Sequence, residues 1–188
     1  MSGTSAPFGF RPAYSPVGFD RAKKYAIAAG YGTQINKNQP VILNTNGTIT
    51  VGAAAADLLG IFAGCEYIDA TGKPNVSPYW PAAQTVLAGT TPTAWVYDDP
   101  GNVYEVQADG SVAQAGVGDQ ADVSNVGAVS ANGLSQCTLS AALAGVGVQG
   151  QFRIVGFGQQ VDNLPGDAFT IVQVQLARSQ FVSNKVAI

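Results

Sequence analysis

Residues 39–51, QPVILNTNGTITV, decide the class of fold. Val41, Ile42 and Leu43 run apolar toward Asn46-Gly47, after which Thr48, Ile49, Thr50 and Val51 alternate. Asn-Gly accepts positive φ at little cost, so it closes a tight turn between two right-handed-twisted strands. Downstream, DLLGIFAGCEYID (57–69) is almost continuously apolar, with Gly60 and Gly64 placed to break a helix. It reads as a buried strand bent or bulged at a glycine. ATGKP is a turn, and NVSPYWPA (75–82) an extended edge segment limited by its prolines. TAWVYDDPGNVYEVQA (93–108) reads as a second hairpin, Pro100 setting φ in the DDPG turn and Gly101 taking positive φ.

Residues 112–133 are rich in Gly, Asp and Asn and are expected to be loop with short strand pieces. LSAALAG (139–145) is the one helical turn the chain suggests, with Ser140 as N-cap and Gly145 as its stop. Two strands follow, QFRIVGFGQQV (151–161) and AFTIVQVQLARSQFV (168–182), joined through the Pro-Gly turn of DNLPGD. In the last, Thr170, Val172, Val174 and Leu176 face one way, and Phe169, Ile171, Gln173 and Gln175 the other. One apolar and one mixed face is the mark of an antiparallel sheet. The expected fold is all-β, an antiparallel β-barrel or jelly-roll-like sandwich, with residues 25–188 as a β-rich body.

Upstream of the body, residues 1–24 read as an extended N-terminal arm. TSAPFGFRPAY (4–14) alternates too poorly for a strand, and no apolar run of signal-peptide type follows a charged start. The arm carries Arg11, Arg21, Lys23 and Lys24 against Asp20 alone, whereas residues 57–122 carry nine acidic side chains against Lys73 alone. Such a division suggests that the arm meets an acidic surface on a neighbouring copy or on another protein. Phe8, Phe10, Arg11 and Tyr14 are of the types that dominate interface energetics, and Pro7, Pro12 and Pro16 stiffen the segment before docking. Arg21, Lys23, Lys24, Tyr79 and Trp80 complete the expected partner-binding set. The alternative is that the arm folds back over its own barrel.

Composition removes most chemistry. Charged residues are 11% of the 188, less than half of ordinary usage, and histidine is absent. Without it the common base for a Ser or Cys nucleophile and the commonest metal ligand are both missing. Adjacent Asp98 and Asp99 would point to opposite faces of a strand, and in the DDPG turn they read as Asx-type caps. Counted from Asp109 as an EF-hand loop, the third, fifth and twelfth places hold Ser111, Ala113 and Gln120, so the pattern fails. GVGVQG (145–150) lacks the Lys-Ser/Thr pair of a phosphate loop, and a pI near 4.6 argues against nucleic acid. No run of 18 apolar residues exists, so no membrane helix is expected. Cys65 and Cys137 stand singly; a reducing compartment with free thiols is preferred, with a disulfide the alternative. The expectation is a chain with no cofactor, no metal and no catalytic residues.

Three stretches together, PFGFRPAYSPVGFDRAKKYAIAAGYGTQINKNQPVILNTNGTITV, GIFAGCEYIDATGKPNVSPYWPA and YDDPGNVYEVQADGS, resemble the capsid cement, or decoration, proteins of tailed and particularly short-tailed bacteriophages. The resemblance covers about residues 7–125 and carries no chemical signature. It implies a non-enzymatic virion protein on the outer capsid surface, made in the host cytoplasm, that bridges copies of the major capsid protein. It also implies a homo-oligomer, a dimer before a trimer. Two other functions compete. One is a head or tail fibre module that recognises host glycans through exposed Tyr79, Trp80, Trp95 and Tyr97. The other is a hydrolase built on Asp98, Asp99 or Glu105, which would need two carboxyls meeting in a cleft.

Overall fold

A computed structural model describes residues 2–18 and 21–182. Met1, Phe19 and Asp20 of the expected arm and residues 183–188 of the expected body lie outside the described residues. The strands are β1 (Arg11–Tyr14), β2 (Lys23–Ile27), β3 (Pro40–Leu43), β4 (Thr48–Val51), β5 (Gly60–Ile68), β6 (Pro74–Ser77) and β7 (Thr93–Tyr97). After these come β8 (Val103–Gln107), β9 (Gln120–Ala121), β10 (Val123–Ser124), β11 (Thr138–Leu139), β12 (Phe152–Phe157) and β13 (Ile171–Leu176). The fold is all-β, as the turn and alternation signals predict.

The 39–51 hairpin is present: β3 and β4 pair antiparallel, and Gly47 takes φ +78° in the turn. They belong to a six-stranded sheet ordered β3-β4-β2-β7-β5-β6, in which β3 also pairs with β5. That extra pairing curls the sheet into a ring around Ile27, Ile35, Val41, Ile49, Phe62 and Val96, all fully buried. β5 carries the expected irregularity, a register shift between Phe62 and Gly64 against β7. Between the named strands of the described residues one pairing departs from the antiparallel expectation, since β2 runs parallel to β4. A second sheet, β1-β8-β13-β12-β9, covers a second core that includes Phe10, Tyr104, Phe152, Ile154, Val172 and Val174. Ile61 of β5, and Leu58 just before that strand, pack into that core too, so the two layers form a sandwich-like body.

Two local readings change. The 93–108 stretch is no hairpin: β7 lies in the six-stranded sheet and β8 in the five-stranded one. DDPG therefore carries the chain between sheets, with Asp99 Oδ1 accepting from Gly101 N–H at 2.8 Å. Gly101 is not among the positive-φ residues, so the Asx cap holds this turn without a left-handed glycine. Residues 139–145 form no helix; among the described residues the single 3₁₀ turn is Gln114–Gly116. Ser140 N–H is taken by Asp122 C=O at 2.9 Å, and Ala144 N–H by Gln120 C=O at 2.7 Å, so the backbone serves a neighbouring strand rather than itself.

Buried amides do here what ion pairs do elsewhere. Gln151 is fully buried; its Nε2 donates to Ala53 and Ala56 C=O at 2.8 and 2.7 Å, and its Oε1 accepts from Val123 N–H at 2.9 Å. Asn163 donates to Gly158 and Ile171 C=O and accepts from Ile171 N–H. A neutral amide offers two donors and an acceptor without the desolvation cost of a charge, which explains how a chain so poor in charge satisfies irregular buried backbone.

One half-buried carboxylate organises a turn. Asp69 Oδ1 accepts from Thr71 N–H, Thr71 Oγ1 and Lys73 N–H, and Oδ2 from Asn75 Nδ2. The Thr71 and Asn75 side-chain hydrogen bonds lead in pulling its pKa from 3.8 down to about 2. A depressed carboxylate contributes stability that is complete above its unfolded pKa and is lost as pH falls through the folded one. The β5–β6 turn should therefore stay closed at pH 5 and loosen between about pH 4 and 2. Amide exchange at Thr71 and Lys73 reads this, and flat protection down to pH 2 would refute it.

Candidate functional site

The expected arm is the place to begin, and it lies on its own body. Ser2 is buried and its C=O accepts from Phe169 N–H at 2.7 Å. Gln107 clasps the next residues, its Nε2 donating to Thr4 C=O at 2.9 Å and its Oε1 accepting from Ala6 N–H at 2.8 Å. Phe10 is fully buried and stacks on Phe152 with ring centroids 4.3 Å apart. β1 then pairs antiparallel with β8, and β2 lies inside the six-stranded sheet. Strand pairing therefore shows no break at residue 24. Phe10, expected as an anchor for a partner, has its pocket in its own chain.

The charges close in the same way. Arg11 pairs with Glu105 at 2.5 Å, Lys23 with Asp98 at 2.9 Å and Lys24 with Glu66 at 3.4 Å. The complementarity between a basic start and an acidic middle is real, but these three pairs satisfy it within one molecule. Arg11 also lies over the Phe8 ring at 4.9 Å, and Lys24 over Trp95 at 4.8 Å. Lys23 and Lys24 stay more than three-fifths exposed, so each keeps donors in solvent.

Of the aromatic set, Trp80 is fully buried, its Nε1 donating to Tyr31 C=O at 3.1 Å and its ring meeting Tyr67 edge-on at 5.5 Å. It is a core residue, which removes it both from the partner-binding set and from the glycan-reading face. Tyr79, Trp95 and Tyr97 are half-buried. Tyr79 covers Gly133, where a Cβ would sit 2.2 Å from its ring. Tyr14, 52% exposed, and Arg21 remain open to solvent, with Val17 beside them at 73%.

No protein family, curated protein or solved structure matches this chain.

The most organised polar group is one that sequence reasoning treated as a turn cap. Asp98 is 6% exposed, and its Oδ2 accepts from both Lys23 Nζ and Tyr25 O–H, the latter at 2.6 Å. Burial and then the Asp98 hydrogen bond push the Tyr25 pKa up, so the phenol keeps its proton and donates. Asp98 Oδ1 is buried without a partner. Asp98 as a residue also lines a cleft of about 370 Å³, together with Arg21, Lys23, Asp99, Pro100 and Phe181. The sequence signal for this group was the basic start against the acidic middle; Tyr25, between the two, carries no signal of its own. Among the described residues no three His, Cys, Asp or Glu side chains converge as a metal set. Cys65 and Cys137 are buried free thiols, raised by burial to about 12 and about 11, far from thiolate chemistry at neutral pH.

Proposed function

We propose that this chain is a capsid cement protein, binding the outer surface of a bacteriophage head and bridging neighbouring major capsid protein subunits as a homo-oligomer. It acts by adhesion and performs no catalysis. The observation that carries the reading is the surface left once the arm and its charges are spent on the body. At the end of β1 Tyr14 projects, and just after it Val17, with exposed Pro16 between them. Val76 on the edge strand β6 is 85% exposed, and Val129 and Val146 stand out from loops at 72% and 87%. A neutral, apolar-studded surface with few salt bridges is suited to lie against another protein, where charged residues are depleted at the contact centre. The sandwich supports the same reading. Leu58 N–H and C=O bond Arg178 C=O and Gln180 N–H, so the segment after β13 is laced to the segment just before β5, as Ser2 laces the start to Phe169. Tension on either end therefore loads hydrogen-bonded backbone.

The test is decoration of shells that lack this chain. The double variant Tyr14→Ala/Val17→Ser should fold normally, because both side chains are exposed, and bind shells at least about tenfold more weakly, the loss of a modest hot spot. Wild-type occupancy by the variant, or failure of the wild type to bind shells, would overturn the reading.

A further inference from the structure

We infer that two copies of this chain meet across a two-fold axis on the outer face of the six-stranded sheet, Val76 of each copy entering the hollow beside Trp95 of the other. The inference rests on the capsid reading only for its expectation of a homo-oligomer, and its test needs no shell.

Register fixes which side chains share that face. Cys65 pairs with Ala94 on one side and Ser77 on the other, and Cys65 and Ala94 belong to the ring core. Side chains alternate along a strand, so the neighbours of these residues point away from that core. Glu66, Thr93 and Val76 form one outward row, and Gly64, Trp95 and Lys24 the next. Val76 stands out at 85% exposure. Gly64 brings no side chain to its row, and there a hollow of about 360 Å³ opens, lined by Ala63, Gly64, Val76, Pro78 and Trp95 among others. On the other flank of Val76 a hollow of about 270 Å³ is lined in part by Glu66, Thr90, Thr91 and Thr93, a poorer seat for an aliphatic group. An apolar knob therefore stands beside an apolar hole.

That arrangement fits a second copy. A half-turn about an axis lying between the two rows lays each row of one copy on the opposite row of the other, as an isologous contact requires. Each Val76 then meets the gap left by the other copy's Gly64. Charge agrees with the same operation. Lys24 lies over the Trp95 ring at 4.8 Å and 3.4 Å from Glu66, and the two are 62% and 41% exposed, a surface pair worth little within one molecule. The half-turn sets the Lys24 row against the other copy's Glu66 row, opposite sign to opposite sign. Edge-to-edge pairing of β6 with its copy is opposed, since the strand begins at Pro74 and is followed by Pro78, and neither has an N–H to offer. The patch is small, so the association belongs to the weak class.

The experiment is sedimentation of the full chain from about 5 to 500 μM, a range that spans a Kd of about 50 μM. A monomer–dimer equilibrium is expected. Over the same range the Trp95 indole N–H should shift in ¹⁵N–¹H spectra, with that of fully buried Trp80 as the reference. Val76→Asp, at an exposed position and so neutral to folding, should raise the Kd at least about tenfold. Val146→Asp, as exposed but on a loop, should leave it at the wild-type value. The inference fails if the chain is monomeric at the highest concentration, if it forms a trimer, or if the Trp95 indole does not move. It fails equally if Val76→Asp dimerises as the wild type does, or if Val146→Asp weakens the dimer as much. A chain that decorates shells yet stays monomeric sinks this inference and leaves capsid adhesion standing; one that dimerises through Val76 yet ignores shells does the reverse.

Discussion

Phe10→Ala is expected to cost about 3–5 kcal/mol of folding stability, the range for emptying a fully buried phenylalanine site. Its ring has no solvent exposure and stacks at 4.3 Å and 22° on Phe152, itself fully buried at the start of β12. An aromatic pair adds roughly 0.5–1.5 kcal/mol beyond the area it buries. Phe10 N–H also donates to Asn38 C=O at 2.9 Å, so the residue ties the start of the chain to the segment before β3. Phe8 is the control. It is half-buried, and its main side-chain interaction is with the exposed Arg11 guanidinium, worth about 0.5–1 kcal/mol at such a site. The ratio between the two variants separates a segment built into the body from a tail that only docks elsewhere. A tail would show no loss for either. With total stabilities of about 5–15 kcal/mol, the Phe10 variant should be visibly shifted in a urea melt, and an unchanged midpoint would refute the assignment. Removing residues 1–18 altogether is worse still, because it strips β1 from β8 and releases Gln107 from Thr4 and Ala6.

These first residues mark the limit of what sequence carries. The hairpin at 39–51, the bulged β5, the edge strand β6 ended by Pro78 and the two-faced β13 were all legible, because each follows from side-chain alternation and a local turn. Trp80 beside that edge was not, since nothing local says that Tyr31 offers it a carbonyl. DDPG announces a reversal but cannot say which sheet the chain enters next. Ala94 and Val96 face the ring core while Tyr104 and Val106 enter the sandwich core, and only long-range pairing separates them. The arm is the sharpest case. Its poor alternation is real, for only β1 of its 2–14 stretch is a strand, yet the slot that receives Phe10 is made by β12, some 140 residues on. Charge asymmetry was legible as complementarity. That Arg11, Lys23 and Lys24 would close on Glu105, Asp98 and Glu66 of the same molecule depended on the fold. Gln151 and Asn163 were visible only as composition, because an amide's partners are set by whichever loop is laid over it.

Gly60→Ala should be the most damaging single-methyl substitution in the ring, costing about 3 kcal/mol, the upper part of the range for overpacking. A Cβ at this position would lie 2.1 Å from Tyr97 C=O oxygen and 2.9 Å from both Tyr97 C and Asp98 Cα. All three are backbone atoms, so no rotamer change relieves the clash; β5 and the end of β7 must part. They cannot part freely. Gly60 pairs with Val41 on one side while Ile61 pairs with Tyr97 on the other, so this is where the six-stranded sheet closes on itself. Opening it also moves Asp98, and with it the Lys23 and Tyr25 hydrogen bonds that hold β2. Gly47→Ala makes the contrast. Nothing lies within 4 Å of a Cβ there, and only the φ of +78° is at issue, a cost of about 1–2 kcal/mol. The two glycines are thus needed for different reasons, one for space and one for a torsion. For a chain of this size the Gly60 variant should melt about 6–12 °C below wild type, with the Gly47 variant losing about half as much. If Gly60→Ala melts with the wild type, the ring does not close at β3–β5–β7, and the wall of the Asp98 cleft is not where the strands put it.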